Sequence, residues 1–319
     1  MVIVFFGTPQ FAVPSLEHLI ASSHEVRGVV TQPDRPRGRG QKVIDSPVKA
    51  AARQHGIPVV QPARLRDPAV TETIAAWRPD LGVVVAYGKL IPPDLLALPR
   101  FGMINVHASL LPKYRGAAPV HRAIIAGERE TGVTIMQVVD ALDAGDMLAR
   151  TSRAIALDET SEEVERDLAV LGARLLVDVI GRIEAGTAAR EKQDDSRSTY
   201  AARLRKEEGL IDWTLPAIDV HNRVRGLYPW PHAYSHLDGS RLILLKTHVT
   251  DPPAGIEQHG GRAASPGEIV DVSRDVMHVA TGAGVIAIDE LQAEGRRPVT
   301  TREFLSGRPL RPGMRFTGT

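Results

Sequence analysis

The amino-acid sequence predicts an α/β protein of two domains, the first built on a parallel β-sheet and the second on a small β-barrel or sandwich. In the first half, short β-rich segments alternate with helical patterns, which is typical of βαβ units and therefore of a parallel sheet. In the last third, short strand patterns follow one another, separated by Gly, Pro and Asp clusters. The length of 319 residues also exceeds that of most single domains.

The first predicted domain begins with a regular order of strands and helices. One helix is predicted to follow Pro14. Ser46 followed by Pro47 predicts the start of another, because serine caps free N–H groups and proline suits the first helical position, and Gly56 predicts its end. Four apolar, β-rich segments are predicted strands: 2–6, 26–31, 81–86 and 103–107. The last two lack alternation, which is typical of strands buried on both faces of a sheet.

A long amphipathic helix and the polar segment after it predict the domain boundary. Thr160 and Glu163 have the spacing of a capping box, and apolar residues recur every three or four positions from Val164 until Gly186. The segment after this helix is rich in charged residues, as linkers are. The expected first domain, linker and second domain are 1–188, 189–205 and 206–319. The predicted strands of the second domain are 241–246, 269–272, 276–280 and 285–288.

Composition and charge exclude several classes of protein. Apolar residues make up 43% of the chain and charged residues 24%, and no segment has the long uncharged apolar run of a membrane span. The apolar N-terminal run is too short for a signal peptide and lacks a basic lead, so we expect a cytoplasmic protein. The absence of cysteine excludes disulfides, thiolate catalysis and cysteine-based zinc sites. A net charge of +1 does not decide on nucleic acid, because phosphate binding needs local positive charge.

The densest group of polar residues follows the strand predicted over 103–107. Residues two apart on a strand face the same side, so Asn105 and His107 would project into one crevice at the carboxyl end of the sheet, where parallel sheets bind ligands. An amide beside an imidazole can stabilise a carbonyl oxygen as it becomes an oxyanion, and an imidazole exchanges protons near neutral pH. A single histidine is more often structural. The neighbouring Asn105 and a Ser-Leu-Leu-Pro turn nevertheless favour a role in acyl transfer to an amine.

Three aspartates recur at every third position after an apolar strand predicted over 133–139: Asp140, Asp143 and Asp146. A metal-binding loop is one interpretation, but the spacing lacks the ligand order and terminal glutamate of an EF-hand, and a hard cation needs more oxygen ligands. A solvated turn would account for two of the three aspartates. A catalytic role needs one carboxylate near His107 to orient the imidazole and relay a proton. We assign that role to Asp143 and expect no metal.

Two local concentrations of positive charge could bind nucleic acid. The loop over 31–42 has a net charge of +3, and its basic residues are Arg35, Arg37, Arg39 and Lys42. Its Gly-x-Gly sequence lacks the third glycine of a dinucleotide-binding loop, which disfavours NAD. Guanidinium groups on a loop suit phosphate contacts, although such a loop can also be merely solvated. The segment 291–319 carries six arginines against two glutamates, a net charge of +4.

Two motifs together carry a family resemblance. Asn105-Val106-His107 is followed by Ser109-Leu110-Leu111-Pro112, and Leu142-Asp143-Ala144-Gly145-Asp146 lies downstream. This pair of motifs resembles the folate-dependent formyltransferase family. Further segments resemble the members of that family that act on charged initiator tRNA, and the matches cover almost the whole chain. These segments are Val2–Pro9, Thr31–Lys42, Val84–Gly88, Arg115–Pro119, Glu130–Met136 and Tyr228–Pro231.

The resemblance implies a fold, a reaction and roles for particular residues. The fold would be a Rossmann-like catalytic domain joined by a linker to an OB-like β-barrel domain that binds tRNA. The reaction would transfer the formyl group of 10-formyltetrahydrofolate to the amino group of methionine on initiator tRNA, without a metal, and we expect a monomer. Asn105, His107 and Asp143 fall on the catalytic positions. The residues assigned to folate are Ser109, Leu110, Leu111 and Pro112, and those assigned to tRNA are Arg35, Arg37, Arg39 and Lys42.

Two other functions stay open on the sequence alone. A formyltransferase that acts on an amino sugar or a small amine would carry the same three catalytic residues, but the basic loop and the basic C-terminal segment argue against it. An RNA-binding protein with a silent catalytic domain is the alternative from another class, and the intact trio argues against that. Gln10 and the segment Gly226–Tyr228 depart from the family pattern without touching the expected chemistry.

Overall fold

The computed structural model describes residues 1–37, 42–251, 264–273 and 275–318, and for residues 35–37 and 42–43 it describes only the backbone. The chain forms two compact units. The first comprises Met1–Pro119, Glu130–Arg153 and Glu165–Ala201. The second comprises Val120–Arg129, Ala154–Val164 and Ala202–Thr319. Two short segments that precede residue 165 thus pack within the second unit, and the linear division expected from the sequence stays a prediction.

The first unit is built on a β-sheet that is parallel over most of its width. The strands of this unit are β1 (Val2–Gly7), β2 (Glu25–Val30), β3 (Arg35–Arg37), β4 (Lys42–Ile44), β5 (Val59–Val60), β6 (Leu81–Val85), β7 (Met103–His107), β8 (Arg115–Gly116), β9 (Glu130–Gln137), β10 (Met147–Ala154) and β11 (Tyr200–Ala201). The order in the main sheet is β10-β9-β7-β6-β1-β2-β5. Strands β5, β2, β1, β6 and β7 are parallel, and β9 is antiparallel to β7. The predicted α/β fold is confirmed.

Several of the helices begin at capping residues whose side chains satisfy free backbone N–H groups. The helices are α1 (Val13–Ile20), α2 (Pro47–Gln54), α3 (Pro68–Ala76), α4 (Pro93–Leu96), α5 (Pro119–Ile125), α6 (Ser161–Glu184), α7 (Ala217–Gly226) and α8 (Thr301–Gly307). At α2, Lys49 N donates to Ser46 Oγ at 3.2 Å, as the predicted cap requires. At α6, Thr160 N donates to Glu163 Oε2 at 2.9 Å and Glu163 N donates to Thr160 Oγ1 at 3.4 Å, so the predicted capping box is present. Within the described residues, no helix has the length and apolar character needed to cross a membrane.

Helix α6 packs directly against the strand that carries the Asn-Val-His motif. A Cβ atom at Gly172 would lie 2.9 Å from Val106 Cγ1 and 3.3 Å from Val133 Cγ1, so only glycine permits this close approach. Val106 and Val133 are 3% and 0% exposed, and full burial of such side chains contributes about 1.5–3 kcal/mol each. Because Val106 faces the helix, Asn105 and His107 face the opposite side of the sheet.

Strands β3 and β4 form a short antiparallel hairpin whose two ends are held by one buried lysine. The paired residues of the hairpin are Arg35↔Ile44, Pro36↔Val43 and Arg37↔Lys42. Lys49 is 6% exposed, and its Nζ lies 2.9 Å from Asp45 Oδ1 and in ion-pair contact with Asp34 Oδ2. Asp34 precedes β3 and Asp45 follows β4. The hydrogen bond to Asp34 raises the pKa of Lys49, and the hydrogen bond from Lys49 lowers the pKa of Asp34.

Replacement of Lys49 by methionine is expected to loosen this hairpin. At neutral pH the two carboxylates lose their shared cation, and we expect amide hydrogen exchange in β3 and β4 to become about tenfold faster. Because the folded pKa of Asp34 is lowered, its stabilisation is present above the ordinary aspartate pKa and is lost as the pH falls through the folded value. The difference in exchange rate between the variant and wild type should therefore become smaller at acidic pH. Hydrogen exchange followed by mass spectrometry measures these rates.

Arg53→Met is the matched control for this prediction. Arg53 contacts the same Asp45 from α2, but its side chain is 61% exposed, and exposed pairs contribute little. We expect exchange in the hairpin to stay within about twofold of wild type in this variant. Equal acceleration in both variants would show that Lys49 has no special part in holding the hairpin.

The second unit is a curled antiparallel sheet. Its strands are β12 (Ala233–Leu237), β13 (Ser240–Thr250), β14 (Ile269–Val272), β15 (Met277–Ala280), β16 (Val285–Ala293), β17 (Val299–Thr300) and β18 (Phe316–Thr317), and the order is β14-β15-β16-β13-β12-β18. The two edges of this order meet: Ile269 N donates to Met314 O and Phe316 N donates to Gly267 O, both at 2.8 Å. The sheet thereby curls toward a closed barrel, and the predicted OB-like β-barrel fold is confirmed.

Buried polar contacts fix elements inside the second unit. Trp213 stacks at a tilt on Phe316, with 5.3 Å between ring centroids, and its Nε1 donates to Ser235 Oγ at 2.9 Å. On α7, Arg225 is 5% exposed and donates to the carbonyl oxygen of Glu159 at 3.0 Å. This contact attaches the segment Ala154–Val164 to the unit.

Candidate active site

Strand β7 places Asn105 and His107 at the carboxyl end of the parallel strands. Asn105 lies opposite Val84 of β6, and His107 lies opposite Thr134 of β9. His107 is 5% exposed, whereas Asn105 is partly exposed. Because side chains alternate along a strand, the amide and the imidazole face the same side of the sheet.

The imidazole of His107 has an oxygen atom opposite each of its ring nitrogens. Nε2 lies 2.9 Å from the carbonyl oxygen of Tyr114, and because a carbonyl can only accept, Nε2 carries a hydrogen and donates it. Nδ1 lies 3.7 Å from Oδ2 of Asp143, which is within ion-pair range but longer than a hydrogen bond. A ring protonated on both nitrogens therefore has an acceptor on each side. The structure brings Asp143 to His107 from a distant stretch of chain.

The loop between β9 and β10 holds Asp143 in an uncommon backbone conformation. Its φ is 48°, in the left-handed region, which costs a non-glycine residue about 1–2 kcal/mol. Its Oδ2 accepts the N–H of Gly116 at 2.8 Å. Gly145 is required by close packing, since a Cβ atom there would lie 1.9 Å from the carbonyl oxygen of Gln137. Asp140 is exposed, and in the part of the chain that the structure describes no three His, Cys, Asp or Glu side chains gather into a possible metal site.

Thr134 holds the turn from Ser109 to Pro112. Its Oγ1 donates to the carbonyl oxygen of Ser109 at 2.7 Å and accepts the N–H of Leu111 at 3.2 Å. Ser109 and Leu111 are each 1% exposed, so their side chains shape the turn. Leu110 and Pro112 are partly exposed and, with the backbone, form the surface that the turn offers to a ligand. Sequence reasoning did not single out Thr134, and its only signal was its place in the conspicuous segment 130–136.

The loop after β6 borders the same edge of the sheet. Ala86 and Gly88 have positive φ values of 46° and 81°. Between them, Tyr87 is 2% exposed and packs edge-to-face on Phe6, with 5.6 Å between ring centroids. Burial raises the pKa of Tyr87 to about 12, and among the described residues its hydroxyl has no hydrogen-bond partner. A buried polar group in this state is costly.

The residues assigned to tRNA are described only in part. Arg35, Arg37 and Lys42 lie on the β3–β4 hairpin, for which the structure gives the backbone alone. Arg39 lies outside the described residues. The hairpin follows β2, which is parallel to β1, so it leaves the sheet at the same edge as the Asn-Val-His motif.

Carboxylates neutralise part of the basic C-terminal segment. Arg302 pairs with Asp275, and Arg308 pairs with Asp238 at 3.1 Å. Both aspartates lie outside the segment 291–319. The net charge of +4 counted along the sequence therefore overstates the positive charge on this surface.

Comparison with known proteins decides the family. The sequence profile described as "Formyl transferase" matches residues 1–180, and "Formyl transferase, C-terminal domain" matches residues 203–309. The chain is 47% identical over 314 residues to a protein of Geobacter metallireducens named "Methionyl-tRNA formyltransferase", covering 98% of each chain. The chain belongs to the formyltransferase family. The family resemblance inferred from the two motifs is confirmed. The chain is therefore an enzyme that transfers a formyl group.

Other family members support the assignment over the full length. A "Methionyl-tRNA formyltransferase" of Heliobacterium modesticaldum is 48% identical over 317 residues, covering 99% of this chain and all of that protein. Among solved structures, an N-formyltransferase from Helicobacter canadensis has a TM-score of 0.65 and 17% identity, covering 92% of this chain and 100% of that one. At that identity the structural likeness shows the shared fold alone.

Proposed function

We infer that the chain transfers a formyl group from a reduced folate to the α-amino group of methionyl-tRNA. The observation that carries this conclusion is the near full-length similarity to proteins named methionyl-tRNA formyltransferase, at 47% identity over 98% of both chains. The approach of Asp143 to His107 supports this proposal, because an imidazole with a carboxylate beside it suits proton transfer during acyl transfer. We further propose that the enzyme works in the cytoplasm, where ribosomes use charged initiator tRNA, and that it is a monomer.

We propose 10-formyltetrahydrofolate as the formyl donor. The related N-formyltransferase from Helicobacter canadensis was solved with folinic acid, a formylated reduced folate. In this chain, the donor would lie along the turn formed by Ser109, Leu110, Leu111 and Pro112. Leu110 and Pro112 would offer their partly exposed apolar surface to the pterin. The buried side chains of Ser109 and Leu111 hold the turn in place. No metal takes part in this mechanism.

In the proposed reaction, the neutral α-amine attacks the formyl carbon carried on N10 of the folate. A carbon–nitrogen bond forms to the amine, and the resulting tetrahedral intermediate collapses with cleavage of the carbon–N10 bond. Asn105 and a protonated His107 stabilise the oxyanion. Because the Nε2–H group of His107 already donates to the carbonyl oxygen of Tyr114, the ring acts through Nδ1. Nδ1 lies 3.7 Å from Asp143 Oδ2, too far for a hydrogen bond, and can therefore donate to the oxyanion.

Asp143 orients the imidazole and carries the proton that the amine must lose. Its Oδ2 accepts from Gly116 and faces the imidazole, which leaves Oδ1 for the ammonium proton of the intermediate. The proton then passes to N10 as the tetrahydrofolate leaves, so no other acid is consumed. Acid–base assistance of this kind contributes roughly 10²- to 10⁴-fold.

For the acceptor, we propose that the basic hairpin contacts the phosphates of the tRNA acceptor stem. We assign Arg35, Arg37, Arg39 and Lys42 to this contact. The ion pairs of Lys49 with Asp34 and Asp45 hold the two ends of the hairpin. The second unit would add attraction for tRNA, as OB-like barrels commonly bind nucleic acid.

Arg39→Ala is expected to impair use of tRNA selectively. We expect the KM for methionyl-tRNA to rise about tenfold, because one phosphate-binding guanidinium is lost, while the KM for the folate stays within about twofold. Steady-state kinetics with each substrate varied in turn measures both. Arg182→Ala, which removes an exposed arginine paired with Asp178 on α6, is the control and should behave as wild type. An equal rise in the KM of both substrates would contradict the assignment of Arg39 to tRNA binding.

The proposed function is tested by a choice of acceptors. The enzyme is supplied with 10-formyltetrahydrofolate and, in separate reactions, with methionyl initiator tRNA, methionyl elongator tRNA or a nucleotide-linked amino sugar. We expect rapid formylation of the initiator tRNA alone. Preferred formylation of the amino sugar would favour the rival function, and no formylation of any acceptor would favour a silent, RNA-binding protein.

A further inference from the structure

Gln193 uses both ends of its side-chain amide near Asp143. Its Nε2 donates to the carbonyl oxygens of Asp143 and Gly145, each at 2.8 Å. Its Oε1 accepts two N–H groups of Arg115, from Nε at 3.0 Å and from Nη2 at 2.8 Å. A guanidinium can only donate and a carbonyl can only accept, so these partners fix which way the amide points.

The partners of Gln193 are also connected to the carboxylate of Asp143. Arg115 is followed by Gly116, whose N–H donates to Asp143 Oδ2 at 2.8 Å. The same arginine pairs with Asp195 at 2.7 Å, and its side chain is only 14% exposed. Strand β8, which contains both Arg115 and Gly116, pairs with β11 from the segment that holds Gln193. Asp143 is thus held at its carbonyl by Gln193 and at its carboxylate by Gly116, and Arg115 joins the two contacts.

The backbone of Asp143 needs such support. Its φ of 48° places it in the left-handed region, so the loop would relax to a commoner conformation if its carbonyl hydrogen bonds were lost. A relaxed loop would move the carboxylate away from the His107 imidazole, from which it is separated by 3.7 Å. Displacements of about 1 Å at a catalytic group can cost on the order of 10²-fold in rate.

We propose that Gln193, which lies after α6 in the segment that sequence reasoning interprets as a linker, is a positioning residue that holds Asp143 at His107. The inference rests on the proposed catalytic role of Asp143. Gln193 does not touch the reacting atoms and acts through the backbone of the 143–145 loop. The segment 189–205 therefore contributes directly to the active site as well as joining two parts of the chain.

Gln193→Glu is the sharpest test, because the glutamate has the same shape and still accepts from Arg115 but cannot donate to the two carbonyls. We expect kcat to fall about 10- to 100-fold while the KM of each substrate stays within about threefold. Glu191→Gln is the matched control, because it replaces a carboxylate by an amide two residues away in the same segment. The Glu191 side chain only forms an exposed ion pair with Arg150. We expect this variant to have the kcat of wild type. If Gln193→Glu does not fold, as judged by thermal unfolding, Gln193→Met replaces it and carries the same expectation.

Combination with Asp143→Asn separates positioning from general structural damage. If Gln193 acts through Asp143, Gln193→Glu should lower kcat by less than about twofold in the Asp143→Asn background. If Asp143→Asn lowers kcat but Gln193→Glu does not, the proposed role of Gln193 is wrong and the role of Asp143 stands. The role of Gln193 is also wrong if Gln193→Glu lowers kcat by the same factor in the Asp143→Asn background as in wild type, or if Gln193→Glu changes only KM. An Asp143→Asn variant with wild-type kcat is a separate result, because it overturns the proposed mechanism itself.

Discussion

Replacement of Asp143 by asparagine should lower kcat by about 10³- to 10⁴-fold. The asparagine keeps the size of the side chain, and its carbonyl oxygen can still accept the N–H of Gly116. It cannot take a proton from the attacking amine, and it offers no negative charge to the imidazole of His107. The loss should therefore lie in kcat, with the KM of each substrate little changed. Steady-state formylation of methionyl-tRNA measures both constants.

Asp140→Asn is the control for this first prediction. Asp140 lies in the same loop, but its side chain is exposed. The same chemical change at that position should leave kcat within about twofold of wild type. Similar losses in the two variants would mean that the loop depends on its total charge and not on one carboxylate beside the imidazole.

Replacement of His107 by glutamine should have an effect of the same order. Glutamine can still donate to the carbonyl oxygen of Tyr114, so the turn after β7 keeps its contact. It carries no positive charge and exchanges no proton, so the oxyanion loses its charged donor, and we expect kcat to fall about 10²- to 10⁴-fold. Single-turnover formyl transfer at saturating substrate isolates this step.

Another His–Asp pair, in the antiparallel sheet, provides the control for His107. His248 Nδ1 lies 2.8 Å from Asp289 Oδ2, and the His248 side chain is 44% exposed. His248→Gln removes the same kind of pair from the antiparallel sheet and should leave the single-turnover rate unchanged. Wild-type activity in His107→Gln would contradict the proposed part of the imidazole.

Local sequence signals predicted part of the secondary structure near the site, but the segment 31–42, interpreted as a loop, contains β3 and the first residue of β4. The caps at Ser46 and Thr160 were predictable because capping joins residues only three positions apart. The strand that carries Asn105 and His107 was predictable because a short apolar run is followed directly by polar residues. The strand predicted over 241–246 was too short, since β13 extends over Ser240–Thr250. The pairing with β16 continues beyond two register shifts around Lys246, which interrupt the alternation.

Contacts between distant stretches of chain were not predictable in the same way. Gln193 lies in a polar, charged segment, and nothing in that composition shows that its amide contacts the carbonyl oxygen of Asp143. The charge on the C-terminal surface was overestimated for a related reason, because Asp238 and Asp275 approach their arginines only in the folded chain. The choice of Asp143 among three aspartates came from the family resemblance and from the need for one carboxylate near His107, and spacing alone did not distinguish it.

The most direct test of the central claim is a double-mutant cycle between His107 and Asp143, read in the single-turnover rate of formyl transfer to methionyl-tRNA. If the imidazole and the carboxylate act as one unit around the formyl carbon, the His107→Gln, Asp143→Asn double variant should be no more than about twofold slower than the slower single variant. Losses that multiply in the double variant would show that the two groups act independently, and the proposed mechanism would then be wrong.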